Sequence, residues 1–334
     1  MKRIASMLAL ASAAALALAG CGSNSSTSAN DSSTHSNAAA KGSYSIGIMQ
    51  YVSHPSLDAA REGFKQALAH SGLQVEFTEQ NAQGDQATVT SIANQFATNH
   101  FDLVLAIATP TAQAAYQAIA DTPVLFTAVT DPVAAQLVDS NEKPGKNVTG
   151  TTDMNPVAQQ IDLIKQVKPD AASVGIIYSS GEVNSAVQVK IAKAEAAKQG
   201  LRVVEKTITN SSEVVQAAHA LGSVDSIYVP TDNLVVSALD SVLQFAEGTK
   251  IPVIVGETSS VSAGGLGTVG LSYQELGEQT GQMAVKILKD GADPATMPVE
   301  AQKEPKLVLN KGAAARMGVT LPQELLSKAD NVIE

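Results

Sequence analysis

The 334-residue sequence has one cysteine, no tryptophan, 4% aromatic residues and 16% charged residues. A single cysteine excludes a disulfide framework and a thiolate zinc site. The five histidines, at 35, 54, 70, 100 and 219, include no pair four residues apart, so the helical histidine metal motif is absent. His54 reads as a surface imidazole. Lysine and arginine total 22 against 32 aspartates and glutamates, a net charge of −10, and nowhere form a basic stripe. Nucleic acid is therefore excluded as a partner. Neither the phosphate-loop pattern nor the G-x-S-x-G nucleophile elbow occurs. Gly265-Leu266-Gly267-Thr268-Val269-Gly270 fits G-x-G-x-x-G, but it leads into a strand and reads as a glycine-rich turn. No catalytic residue, metal or cofactor is expected.

What the sequence has is a leader, a tether and a long apolar-patterned remainder. Met1-Lys2-Arg3 precedes an uncharged Ala- and Leu-rich run over 4–20, the pattern of a signal peptide. The lone cysteine ends it, in Leu18-Ala19-Gly20-Cys21. These four residues resemble the lipobox of bacterial lipoproteins, which makes Cys21 the expected lipidated N-terminus and places the protein outside the cell membrane, anchored to it. Residues 21–43 are then a flexible tether of Ser, Thr, Asn, Ala and Gly. The hydrophobic fraction of 44% supports packed cores beyond it.

The folded part carries an internal echo. Ser45-Ile46-Gly47-Ile48-Met49 recurs as Ser173-Val174-Gly175-Ile176-Ile177. Phe101-Asp102-Leu103-Val104-Leu105 recurs as Val224-Asp225-Ser226-Ile227-Tyr228, and Thr122-Pro123-Val124-Leu125-Phe126 as Ile251-Pro252-Val253-Ile254-Val255. Short apolar runs between polar or Gly/Pro flanks suit parallel strands buried on both faces. Helical patterns lie between them, over 56–70, from Asp85, from Asn184 or Ser185 to Gln199, and over 234–247 and 274–290. Alternating strands and helices predict an α/β fold of two doubly wound, Rossmann-like lobes with a hinge. The expected boundaries are 44–151 plus 274–297 for the first lobe and 152–273 plus 298–334 for the second.

Ligands of such sheets bind beyond the carboxyl ends of the strands. Strand-end position selects Gln50, Tyr51, Thr109, Thr127, Asp131, Asn184, Ser185, Thr231, Asp232, Asn233 and Glu257 as candidate ligand-binding residues. Hydroxyls and a helix start after Pro110 suit a carboxylate, whereas Asp232 and Glu257 suit an ammonium. The expected pairing is Thr109, with Thr127, for the carboxylate and Asp232, with Asn233 or Glu257, for the ammonium. Helix capping stays open as the other reading of the same residues. Tyr51, Tyr178 and Tyr273 are the rings that can reach the cleft or fill the core.

Asn81-Ala82-Gln83-Gly84-Asp85, Ala106-Ile107-Ala108-Thr109-Pro110-Thr111-Ala112-Gln113, Ala128-Val129-Thr130-Asp131-Pro132, Gly145-Lys146-Asn147-Val148-Thr149-Gly150 and Tyr228-Val229-Pro230-Thr231-Asp232-Asn233 carry a further signal. Together they resemble the lipoprotein substrate-binding family of ABC transporters that includes the tryptophan-binding proteins of Gram-positive bacteria. The resemblance implies a type I periplasmic-binding-protein fold and three crossings between lobes. It also implies a small-molecule ligand, an amino acid with tryptophan among the candidates, passed to an ABC permease with its cytoplasmic ATPase. Among the family-like motifs, Thr109, Asp131, Thr231, Asp232 and Asn233 carry the site. The alternatives are a sugar- or nucleoside-binding protein, or a sensing or enzymatic extracytoplasmic domain on the same fold.

Overall fold

A computed structural model describes residues 42–334. The leader, Cys21 and nearly all of the expected tether lie outside the described residues. The first stretch of chain alternates strand and helix: β1 (Tyr44–Gln50), α1 (Pro55–His70), β2 (Val75–Asn81), α2 (Gln86–Thr98), β3 (Leu103–Ile107), α3 (Thr109–Ala118), β4 (Val124–Val129) and β5 (Val148–Thr152). The pattern then restarts with α4 (Val157–Val167), β6 (Ser173–Ser179), α5 (Val183–Lys198), β7 (Arg202–Ile208), α6 (Val214–Ala220), β8 (Ser226–Val229), α7 (Asn233–Ser237), α8 (Leu239–Thr249), β9 (Val253–Val255), α9 (Thr258–Ser262) and β10 (Gly267–Gly270). The chain ends with α10 (Tyr273–Asp290), β11 (Glu300–Ala301), β12 (Lys306–Asn310), α11 (Lys311–Arg316), α12 (Gln323–Lys328) and β13 (Asn331–Ile333).

These strands make two sheets, ordered β11-β5-β4-β3-β1-β2 and β13-β12-β10-β9-β8-β6-β7. From the β2 and β7 edges the first five strands run in the same 2-1-3-4-5 order in both, which is the doubly wound pattern. All pairings are parallel except β10 with β12. The echoed segments fall on β1 and β6, β3 and β8, and β4 and β9, so the repeat in sequence is a repeat in topology. β3 and β4 are fully buried, as apolar runs covered on both faces should be.

Helix α10 returns along α1 of the first half. Small residues let the two backbones touch. A Cβ on Gly277 would sit 1.9 Å from the Ala60 carbonyl oxygen, and one on Gly63 would sit 2.2 Å from that of Gln274.

Three details differ from the sequence expectation. Thr152 and Glu300–Ala301, expected with the second lobe, belong to the first sheet, where Glu300 and Ala301 pair with Thr151 and Thr152. The Glu300 carboxylate is held there by Gln279 (2.8 Å) and Lys286 (3.2 Å) of α10, a tertiary tie that local sequence does not reveal. The helix expected over 234–247 is broken at Ala238, where Ser237 turns its hydroxyl back onto the Leu234 carbonyl. Helix α5 begins one residue before the expected caps, so Asn184 and Ser185 point from its first turn instead of capping it.

Candidate binding cleft

The carboxyl ends of both sheets face one enclosed cavity. From the first half come His54, Ser56 and Leu57 at the β1–α1 junction and Ala128 at the end of β4. Asp153 follows β5, and Tyr273 opens α10. From the second half come Thr231, Asn233 and Val236 after β8, and Glu257 after β9. The volume is about 10 Å³. A wider groove of about 540 Å³ runs alongside, between Tyr51, Gly84 and Pro110 on one wall and Ser179, Gly181 and Leu234 on the other.

The candidate residues separate into two groups. Thr231, Asn233 and Glu257 line the cavity, and Tyr51 lines the groove. The others line neither, and all of them except Thr109 are hydrogen-bonded within the protein. Gln50 donates to the Val52 carbonyl (2.9 Å) and Asp58 (2.7 Å) and accepts from Arg61 (3.1 Å). Thr127 is spent on Thr151 (3.1 Å). Asp131 caps a turn by accepting from the Ala134 N–H at 2.9 Å. Asp232 caps α7 by accepting from the Val235 N–H (2.9 Å), and also accepts from the Ser185 hydroxyl (2.6 Å) and the Ser179 N–H (2.5 Å). Asn184 bridges Glu182 (2.9 Å) and the Thr231 carbonyl (3.1 Å). Thr109 keeps a buried hydroxyl with no hydrogen-bond partner among the described residues. Of the other rings, Tyr178 reaches Glu205 (3.3 Å) on the neighbouring strand and does not line the cavity.

Sequence reasoning missed His54, Ser56 and Asp153 as cavity residues. His54 is not a surface group: it is 7% exposed, because Val236 and Asn233 of the opposite half close over it. Burial pushes its imidazole down to about 4, opposed by Asn233 and Asp58, so it is neutral at physiological pH. Neither ring nitrogen, nor the Ser56 hydroxyl, has a hydrogen-bond partner among the described residues. Buried polar atoms normally have one.

Of the buried acids Asp153, Glu182 and Asp232, Asp153 lines the cavity. Asp153 is buried, accepts from Thr130 (2.9 Å) and from the Tyr273 hydroxyl, and is raised above the usual carboxylate range by burial. Glu182 is pushed up to about 8 by burial and then by Asp232, which burial also raises. No lysine or arginine among the described residues pairs with any of these three. Two strand ends are strained as well. Ala108 after β3 and Ala128 in β4 take φ of 83° and 57°, unusual for a residue with a Cβ, and Ala128 lines the cavity.

Comparison with known proteins accords with this geometry. The tyrosine-binding protein of Clostridioides difficile (strain R20291) is 44% identical over 285 residues, covering 84% of this chain and 82% of that protein. The crystal structure of an ABC domain in complex with L-Trp from Streptococcus pneumoniae is 40% identical. It superposes with a TM-score of 0.84 over 87% of this chain and 100% of that one. The ligand-free, open structure of a substrate binding protein with adhesive properties from Clostridium difficile is 44% identical, covering 87% and 99%, yet its TM-score is 0.64. Residues 45–333 match the family described as ABC transporter substrate binding protein. The resemblance drawn from the sequence motifs is thereby borne out: this chain belongs to the ABC transporter substrate-binding proteins, which bind their ligands outside the cytoplasm.

Proposed function

We propose that this protein captures an amino acid with an aromatic side chain between its two halves and delivers it to an ABC permease powered by a cytoplasmic ATPase. The observation that carries the reading is the lining of the cavity: a buried acid with no cationic partner among the described residues, Asp153, together with unpartnered neutral groups on His54 and Ser56. An ammonium supplies the cation that Asp153 lacks, with Glu257 and Tyr273 beside it. Asp153 takes this role in place of Asp232, which does not line the cavity. The ligand carboxylate goes to the main chain at the strained strand ends, with the Thr109 hydroxyl. The side chain extends toward Leu57, Val236 and His54. Aromatic character is supported by the tyrosine and L-Trp of the relatives.

A cavity of about 10 Å³ holds about one water, so an amino acid enters only when the halves separate. The better superposition on the L-Trp complex than on the open structure supports a closed arrangement. The crossing near Thr151-Thr152-Asp153 is the proposed hinge. In the same reading Cys21 is the lipidated N-terminus, with at least two acyl chains for a stable anchor. Cys21→Ala releases the protein from the membrane fraction if so, and leaves it there if not. A thermal-shift screen tests the ligand class, because a ligand that binds only the folded state raises the melting temperature. Tyrosine or tryptophan stabilises the protein most; stabilisation by sugars alone contradicts the proposal.

A further inference from the structure

His54 is the residue before α1, a position where Ser, Thr, Asp or Asn usually caps the helix with its side chain. Here the imidazole makes no cap bond. It turns instead into the cavity, nine-tenths buried, with Ser56 next to it and Asn233 and Val236 across from it. Asn233 gives its amide N–H to Glu182. A neutral imidazole has one N–H and one bare nitrogen. Neither nitrogen is hydrogen-bonded among the described residues, so one of them is a buried free acceptor in either tautomer, with the Ser56 hydroxyl an adjustable neighbour. Leu57 and Val236 make the rest of this end of the cavity apolar. A flat apolar group with one hydrogen-bond donor at its edge fits that combination; a purely hydrocarbon ring leaves the acceptor stranded.

We infer that His54 is a specificity-determining residue, accepting a hydrogen bond from a donor on the ligand's aromatic side chain, a phenol O–H or an indole N–H, and so discriminating against phenylalanine. The inference rests on the amino-acid reading above. A site built to bond a ligand group penalises the analogue that lacks it, because its own buried polar atom is left unpaired.

The test is calorimetric titration of wild-type protein, His54→Leu and His54→Gln with two matched pairs, tyrosine against phenylalanine and tryptophan against 3-benzothienylalanine. In the pair containing the tighter ligand, the wild type prefers the donor-bearing member by at least about tenfold, about 1.4 kcal/mol. His54→Leu reduces that ratio to about threefold or less while phenylalanine or benzothienylalanine affinity is kept. His54→Gln, which retains a donor and an acceptor, keeps part of the ratio. Melting temperatures confirm that the variants fold. Equal wild-type affinities within both pairs, or a His54→Leu loss shared equally by both members, overturn the inference and leave the amino-acid reading standing. No binding of any of the four removes both.

Discussion

At the residue scale, the question is which polar groups hold the protein together and which wait for a ligand. Capping and ligand contact use the same residue types at the same strand ends, and for that reason the sequence could not separate them. Asp131 and Asp232 are caps, Gln50 fastens α1, and Glu257 both caps α9 and lines the cavity. Asp153 escaped notice because it follows a strand in the connection between the two halves. His54 escaped because what buries it is the distant segment at 233–236. The roles predict different mutational outcomes. Asp153→Asn weakens binding of the cognate amino acid by about 10- to 150-fold, the worth of a charge-assisted contact of ~1.5–3 kcal/mol. Asp131→Ala leaves affinity within about threefold. Equilibrium titration of both variants checks the pair.

Glu182 gives a stability prediction at the same scale. Its folded-state value of about 8 lies above the ordinary 4.5. The folded protein therefore holds a proton that the unfolded chain releases, and stability falls as pH rises through that window. His54, lowered from 6.5 to about 4, acts oppositely, but its contribution is complete by about its unfolded value. Between pH 6.5 and 8.5 the acid dominates. The melting temperature declines over that range, and Glu182→Gln flattens the decline. A rising or unchanged wild-type profile contradicts the buried, cation-free environment described for the Glu182–Asp232 pair.

At the scale of elements, the sequence was most informative. The echo of three apolar segments located the central strands of both sheets, because strands buried on both faces must be apolar throughout. It was least informative where tertiary contacts decide: the break at Ala238 and the two-residue strand β11, tied to α10 through Glu300. The α1–α10 contact supplies a clean test. Alanine normally stabilises a helix interior over glycine by up to ~1 kcal/mol. Gly277→Ala reverses that sign, because its Cβ would meet the Ala60 carbonyl at 1.9 Å, and destabilises by about 1–3 kcal/mol. Gly248→Ala, in α8 with open space around it, is neutral or stabilising. Urea denaturation of the two variants measures both.

At the scale of the whole molecule, two similar halves place acid, hydroxyl and imidazole from five different segments around one small cavity. No loop carries the site alone, so function depends on how far the halves close. Small-angle scattering of the ligand-free protein and its cognate complex reports that motion. The radius of gyration decreases on binding, and an unchanged value contradicts hinge closure. The most direct test of the account is a calorimetric titration with L-tyrosine and L-tryptophan alongside ribose, adenosine and 3-(4-hydroxyphenyl)propionate, which lacks the ammonium. The account predicts that at least one of the two amino acids binds with one-to-one stoichiometry and that the three others do not; binding of ribose or adenosine without either amino acid, or of the propionate as tightly as tyrosine, would contradict it.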